Sequence, residues 1–185
     1  MDQRTDAELA AASRDGEREA FATLVERHQH AVYNLAYRMT GNAAEADDVA
    51  QEAFIRAYRK LAQFRTDGSF RNWVLGIGAN LARNRFRQRT RREAAEQGHA
   101  EIAGIGGGEA AGADPDRREA LDRALMALPE TTRLPVVLKY MEGLSIEDIA
   151  RTLRIGLSAA KMRLVRGREE LLARMRGGME QQVPS

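Results

Sequence analysis

Apolar residues along this chain recur at steps of three and four, and no stretch shows strict alternation. That period confines the fold to helices packed by one face, because 3.6 residues per turn bring positions i, i+3, i+4 and i+7 to one side. Thr5 or Asp6 can cap a short first helix ending at Gly16. A second is predicted over 17–40, with Phe21, Leu24, Val25, His28, Val32, Leu35, Ala36 and Met39 on its inner face. Gly41 follows where a helix end favours a left-handed residue. A third helix is predicted over 44–64, with Ala46, Val49, Ala50, Ala53, Phe54, Ala57 and Leu61 inward. The run Thr66-Asp67-Gly68-Ser69 is a turn, and a fourth helix starts at Phe70 and runs towards Arg89.

The pattern stops at about residue 93. Residues 93–115 carry Gly104, Gly106, Gly107, Gly108 and Gly112 among small and acidic residues, the composition of a flexible linker. Helical spacing resumes at Asp116, is interrupted by Pro129, and returns over 132–141. Pro135 belongs in the first turn of that segment, since an interior proline costs about 3 kcal/mol. The chain therefore reads as all-α, with one small domain over 1–92, a linker over 93–115, a second domain over 116–176 and a disordered tail over 177–185.

Charge narrows the partners. The net charge is only +2, but Arg83, Arg85, Arg87, Arg89, Arg91 and Arg92 crowd twelve positions that hold no acid. The dipole of a helix C-terminus favours one or two cations, not six. Neutralising the phosphates of a nucleic acid accounts for the rest and predicts steep salt dependence. A second basic segment lies over 145–168. Ser145 and Asp148 resemble a capping box, and Ile146, Ile149, Ala150 and Leu153 make one apolar face. After a brief turn, Ser158 is placed to cap a helix bearing Lys161, Arg163, Arg166 and Arg168. A short helix, a turn and a basic helix is the helix-turn-helix plan, in which the second helix enters the major groove.

Other chemistry finds little support. There is no cysteine, which excludes disulfides and Cys-based zinc sites. No cofactor or metal site is expected. Glu96 and His99 form a single Glu-x-x-His pair beside the linker, where a di-metal site needs two. His28 and His30 lack i, i+4 spacing and a third ligand. Gly106-Gly107-Gly108 has neither the preceding strand nor the lysine of a phosphate-binding loop. No apolar run approaches the roughly 20 residues that span a bilayer. The amino terminus is too acidic for a signal peptide, so a cytoplasmic protein, not an enzyme, is expected.

Three passages resemble the sigma factors of bacterial RNA polymerase, in the extracytoplasmic-function (ECF) group of the sigma-70 family. They are VYNLAYRMTGNAAEADDVAQEAFIRAYRKLAQFR at 32–65, GSFRNWVLGIGANLARNRFRQRTRR at 68–92 and ALPETTRLPVVLKYMEGLSIEDIARTL at 127–153. The resemblance implies a dissociable subunit of core polymerase that selects promoters and assists melting. Its second conserved region would bind the β′ clamp and the −10 element. Its fourth would bind the −35 element and the β flap, with the linker between them running near the RNA exit path. An anti-sigma factor is the expected regulator.

Site residues follow from the resemblance combined with helical phase. Asp47, Asp48, Gln51, Glu52 and Arg56 would meet the clamp; Asp48, Glu52 and Arg56 are successive turns of one face. Trp73, Asn80, Asn84 and Arg87 share a face of the fourth helix with Ile77, and with Phe70 and Arg83 would meet the −10 strand. Trp73 and Phe70 could stack on an unpaired base, and Trp73 could equally be a core anchor. Asn80 stands at the family's recurrent −10 position, and without the resemblance reads as a surface polar residue. Arg85, Arg89, Arg91 and Arg92 would hold DNA backbone. Lys139, Ser158, Lys161, Arg163 and Arg166 would meet the −35 element. Where the family runs close to LGIPVGTVKSRLHRAR, this chain has LRIGLSAAKMRLVRGR. Arg154 replaces the turn glycine at a cost on the order of 1 kcal/mol if left-handed, or the turn is rebuilt around Gly156. Ala159, Ala160 and Met162 replace Thr, Val and Ser, so altered −35 reading is expected. The acids Glu93, Glu96, Glu101, Glu109, Asp114 and Asp116 either place the linker in a basic channel or simply keep it soluble. The rival readings are a DNA-binding regulator acting without polymerase and an interaction protein solubilised by its arginines.

Overall fold

The computed structural model describes residues 2–96 and 115–180, with side chains over 2–92 and 119–176. Within these residues it is all helix: α1 (Asp6–Arg14), α2 (Arg18–Thr40), α3 (Ala43–Arg59), α4 (Phe70–Glu96), α5 (Pro115–Met126), α6 (Glu130–Val136), α7 (Ile146–Leu153) and α8 (Leu157–Glu180). A 3₁₀ turn, Leu61–Gln63, follows α3, and a π-helical stretch, Val137–Met141, follows α6. Most of the expected linker, with His99 and the acids assigned to it, lies outside the described side chains.

Local chemistry sets the boundaries. Thr5 caps α1: its hydroxyl accepts from the Glu8 N–H at 3.3 Å, and its own N–H donates to the Glu8 carboxylate at 2.7 Å. Gly41 ends α2 at φ +69° and donates to Tyr37 O at 2.7 Å, as expected of a left-handed cap. Asn42 opens α3 by accepting from the Glu45 N–H at 3.0 Å. The third helix is shorter than its period implies. The chain leaves the α-helix at Lys60 and uses the 3₁₀ turn to bring Leu61 and Phe64 inward.

Leu24, Val32, Leu35 and Met39 of α2 pack against Val49 and Ala53 of α3 and Val74, Leu75 and Ala79 of α4. Leu9 of α1 closes one end. In the second half, α8 lies across α6 so closely that a Cβ on Gly167 would stand 2.7 Å from Val136 Cγ2 and 2.9 Å from Thr132 O. Pro135 is the sixth residue of α6 rather than a first-turn residue, which corrects the sequence expectation. Thr131, whose carbonyl would have accepted from position 135, is exposed, so water can replace the missing donor. The ladder then widens, and the Glu142 N–H donates to Val137 O at 3.1 Å. The tail expected from Gly177 is helical as far as Glu180. Glycine weakens a helix without removing a donor, so it does not end one as proline does.

The two halves pack together, and their buried apolar residues form one continuous core. Arg133 of α6 is 2% exposed and crosses the seam. Its guanidinium donates to Met39 O at the end of α2 (2.9 Å), to Met126 O at the end of α5 (2.6 Å) and to Leu128 O (2.8 Å). It also lies over the Phe86 ring at 4.9 Å. Burial pulls its pKa down to about 10, which still leaves it charged at neutral pH. The negative ends of two helix dipoles are a suitable environment for that charge. Removing the cation leaves buried carbonyls without donors, so urea unfolding of Arg133→Met is expected to show a loss on the order of 3 kcal/mol. A loss below about 0.5 kcal/mol would mean that water replaces the guanidinium there.

Candidate polymerase and nucleic-acid interfaces

Three surfaces carry the residues singled out by sequence. The first is the outer side of α3. Asp47, Asp48 and Gln51 are exposed, and Glu52 accepts from Arg56 Nε at 2.6 Å across one turn. Asp47 and Gln51 border an apolar groove of about 850 Å³ between α2 and α3, floored by Phe21, Val25, Ala50 and Phe54. Ile55 and Tyr58 stand on its lip, 39% and 48% exposed. Sequence reasoning missed these two. The available signal was two large apolar residues three positions apart on α3, outside the stripe that faces the core. A polar face beside exposed apolar side chains is the composition of a protein interface with a charged rim.

The second surface is a cleft of about 1000 Å³ where α4 begins. Trp73, Asn80 and Arg83 line one side with Arg56, Lys60 and Arg65. Asn80 donates to Gly76 O at 2.8 Å and accepts from Arg83 Nη2 at 2.9 Å, which fixes the amide's orientation. Trp73 is half-buried against Phe64 and Phe70, with ring centroids 5.3 and 5.7 Å away. It is thus both an anchor and a cleft wall. Phe70 is 1% exposed within this aromatic cluster, so the expectation that it stacks on a base is corrected: it supports Trp73 from beneath.

The other wall of the cleft is α7. Asn72 Nδ2 donates to Asp148 Oδ2 at 3.2 Å, and a Cβ on Gly76 would lie 3.6 Å from Thr152 Oγ1. Arg71 reinforces the closure by donating to the backbone O and the carboxylate of Glu142, both at 2.6 Å. Burial pushes the Glu142 carboxyl above its ordinary range, and Arg71 pulls it back. Further along α4, Asn84 is exposed and Arg87 pairs with Glu130 at 2.8 Å. Arg89 turns inward and donates to Thr40 O at 2.7 Å, so it caps α2 rather than lying free for a DNA backbone. Arg85, Arg91 and Arg92 are exposed.

The third surface is the helix-turn-helix, α7 and α8. The Ser145 hydroxyl accepts from the Asp148 N–H at 3.0 Å, opening α7 as expected. Arg154 takes the left-handed conformation itself, φ +54° and ψ +48°. Gly156 has no positive φ, so the turn keeps its form and is not rebuilt around that residue. Consequently α8 starts at Leu157, and Ser158 lies inside its first turn rather than at its cap. Lys161 and Arg166 are exposed and Arg163 is half-buried. Lys139 is half-buried and reaches Leu144 O at 3.3 Å, holding the loop before α7 instead of projecting toward a groove. Ala160 is fully buried, so its replacement of valine concerns packing and not base reading.

Among the described residues no three His, Asp or Glu side chains cluster as metal ligands. His28 Nε2 instead pairs with Asp6 at 2.6 Å.

Residues 24–92 match sigma-70 region 2 and residues 118–171 match sigma-70 region 4. The chain is 36% identical over 181 residues to RNA polymerase sigma-H factor of Pseudomonas aeruginosa, covering 92% of this chain and 94% of that one. It is 34% identical over 174 residues to ECF RNA polymerase sigma factor SigW of Bacillus subtilis, covering 87% and 91%. Its backbone superposes on that of CnrH, solved in complex with the cytosolic domain of CnrY, with a TM-score of 0.71. That match has 28% identity and covers 93% of this chain and 97% of the other. A region 2 core with a cationic helix, followed by a region 4 helix-turn-helix, makes this chain a member of the ECF group of the sigma-70 family, which acts in promoter recognition and transcription initiation.

Proposed function

We propose that the closed packing of the two halves withholds the −10 surface, and that promoter engagement requires them to part. The observation that carries this reading is the second wall of the cleft. Trp73, Asn80 and Arg83 face α7 of the −35 domain across a space that an unpaired strand would have to enter. A stacked base and its phosphate need both the Trp73 edge and the arginine rim, and α7 stands over them. Away from the shared apolar core and Arg133, the part of the seam along α4 is held by polar pairs, Arg71–Glu142, Arg87–Glu130 and Asn72–Asp148, which suit a contact that must release.

The remaining assignments follow the same surfaces. Asp47, Asp48, Gln51, Glu52 and Arg56 form the rim of the clamp interface, with Ile55 and Tyr58 as its apolar centre. Asn84 and Arg87 join Trp73, Asn80 and Arg83 on the −10 strand once Arg87 leaves Glu130. Arg85, Arg91 and Arg92 hold backbone phosphates. Lys161, Arg163, Arg166 and Ser158 face the −35 element. The protein is a non-catalytic cytoplasmic subunit: its role is binding, and no helix among the described residues is long and apolar enough to cross a membrane. An anti-sigma factor is the expected regulator, supported by the likeness to CnrH bound to the CnrY cytosolic domain.

Asp48→Arg combined with Glu52→Arg is expected to weaken binding to core polymerase by about tenfold or more, since each change reverses a rim charge. Unchanged affinity would remove α3 from the interface. The chain has no cysteine, so Gly76→Cys with Thr152→Cys allows a single disulfide across the seam. A Cβ at position 76 would stand 3.6 Å from Thr152 Oγ1 and 3.7 Å from its Cγ2, so the two positions face each other across the seam at close range. The oxidised protein should lose promoter-dependent run-off transcription and regain it on reduction. Full activity in the oxidised form would show that opening is unnecessary. Changing Arg85, Arg91 and Arg92 to Gln should flatten the salt dependence of promoter binding by about 0.7–0.9 per lost phosphate contact while leaving promoter choice unchanged. A shift in the preferred −10 sequence would instead make these residues base readers.

A further inference from the structure

The inward side of α8 is defined by Ala160, Leu164 and Gly167, which pack on the second domain. Helical phase then places Ser158, Met162 and Val165 along the centre of the opposite side. Met162 is 53% exposed and Val165 48%. Lys161 and Arg166 are exposed to either side of this line. The central stretch of the helix therefore offers two apolar side chains between two cations. It has no Asn, Gln or Arg on its midline to make a bidentate hydrogen bond with a base edge. Glu169, next along the line, bears the charge that phosphates repel and marks where the DNA-facing stretch ends.

In a major groove, an apolar side chain has one distinctive base feature to meet, the C5-methyl group of thymine. We propose that Met162 and Val165 read thymine methyl groups in the −35 element, with Lys161 and Arg166 holding the flanking phosphates. This rests on the reading of the chain as a promoter-binding subunit and specifies what its recognition helix selects. Both flanking charges are cations, whereas the rim of α3 mixes Asp47, Asp48 and Glu52 with Arg56, so a phosphate backbone is the occupant that fits this line. Methionine suits the task, being flexible and polarisable enough to follow a methyl group without demanding one geometry. Arg154 and Ser145 fix the entry of α7 and the turn, so the presentation of this line is set by the fold.

The test uses the full chain with core polymerase and promoter fragments randomised over the −35 region. The best fragment is then remade with deoxyuridine for each −35 thymine in turn, which removes the methyl and leaves every hydrogen-bonding group. At one or more positions, binding should fall about fourfold per methyl removed. Met162→Ala or Val165→Ala should abolish that preference at the thymine it touches, and Met162→Leu should keep it. Both positions are exposed, so these variants should fold. Equal binding to thymine and deoxyuridine at every position would overturn the inference and leave the apolar line to a protein contact. So would a preference that survives in both alanine variants. If no fragment supports initiation at all, the promoter-binding reading itself fails, and the inference with it.

Discussion

The structure turns on one buried cation. Arg133 has left water to sit where α2 and α5 end, and its hydrogen bonds run to main-chain carbonyls of both halves. Met39 O and Met126 O are among the last carbonyls of their helices and have no partner within them, and Leu128 O lies just past the end of α5. Each side therefore resolves the other's problem: the guanidinium needs acceptors, and the helix ends need donors. Phe86 of α4 covers its face and Arg89 of α4 satisfies Thr40 O nearby, so two elements of the first half, α2 and α4, meet around a residue of the second. An apolar residue of the same size would fill the space but leave the carbonyls stranded.

The three functional surfaces stand in different relations to this seam. The α3 face points away from it and is open. The α4 cleft lies within it and is walled by α7. The outer line of α8 is also open, because α8 meets the rest of the protein through its opposite side. One packing arrangement thus leaves the groups suited to a protein and to duplex DNA available while covering those suited to a single strand.

Much of the fold was legible because it depends on local rules. The caps at Thr5, Gly41 and Ser145, and the inward faces of α2 and α3, follow from side-chain chemistry and period, and the structure places them as expected. What escaped depends on contacts far apart in sequence. Arg133 looks like any helix-surface arginine until α2 is brought beneath it, 94 residues away. Arg89 reads as one of six equivalent cations, yet the carbonyl it caps lies 49 residues upstream. Phe70 was misplaced because an aromatic residue at a helix start is compatible with either burial or stacking. Pro135 is tolerated inside α6 because the carbonyl that loses its donor belongs to exposed Thr131, an exposure that the sequence period does not show.

Gly167 has a mechanical meaning beyond its fit. It is the point at which α8 touches α6 backbone to backbone, with Thr132 O where a side chain would be. Met162 and Ser158 lie five and nine residues away along the same rigid rod, roughly 8 and 14 Å at 1.5 Å per residue. The rod behaves as a lever with its fulcrum at a residue that has no side chain. A methyl group inserted there would tilt the tip, and a displacement of a few tenths of an ångström at the fulcrum would be carried to the end that bears Ser158 and Met162. The direction in which this helix presents its outer line is thus set from behind, by an atom that is missing.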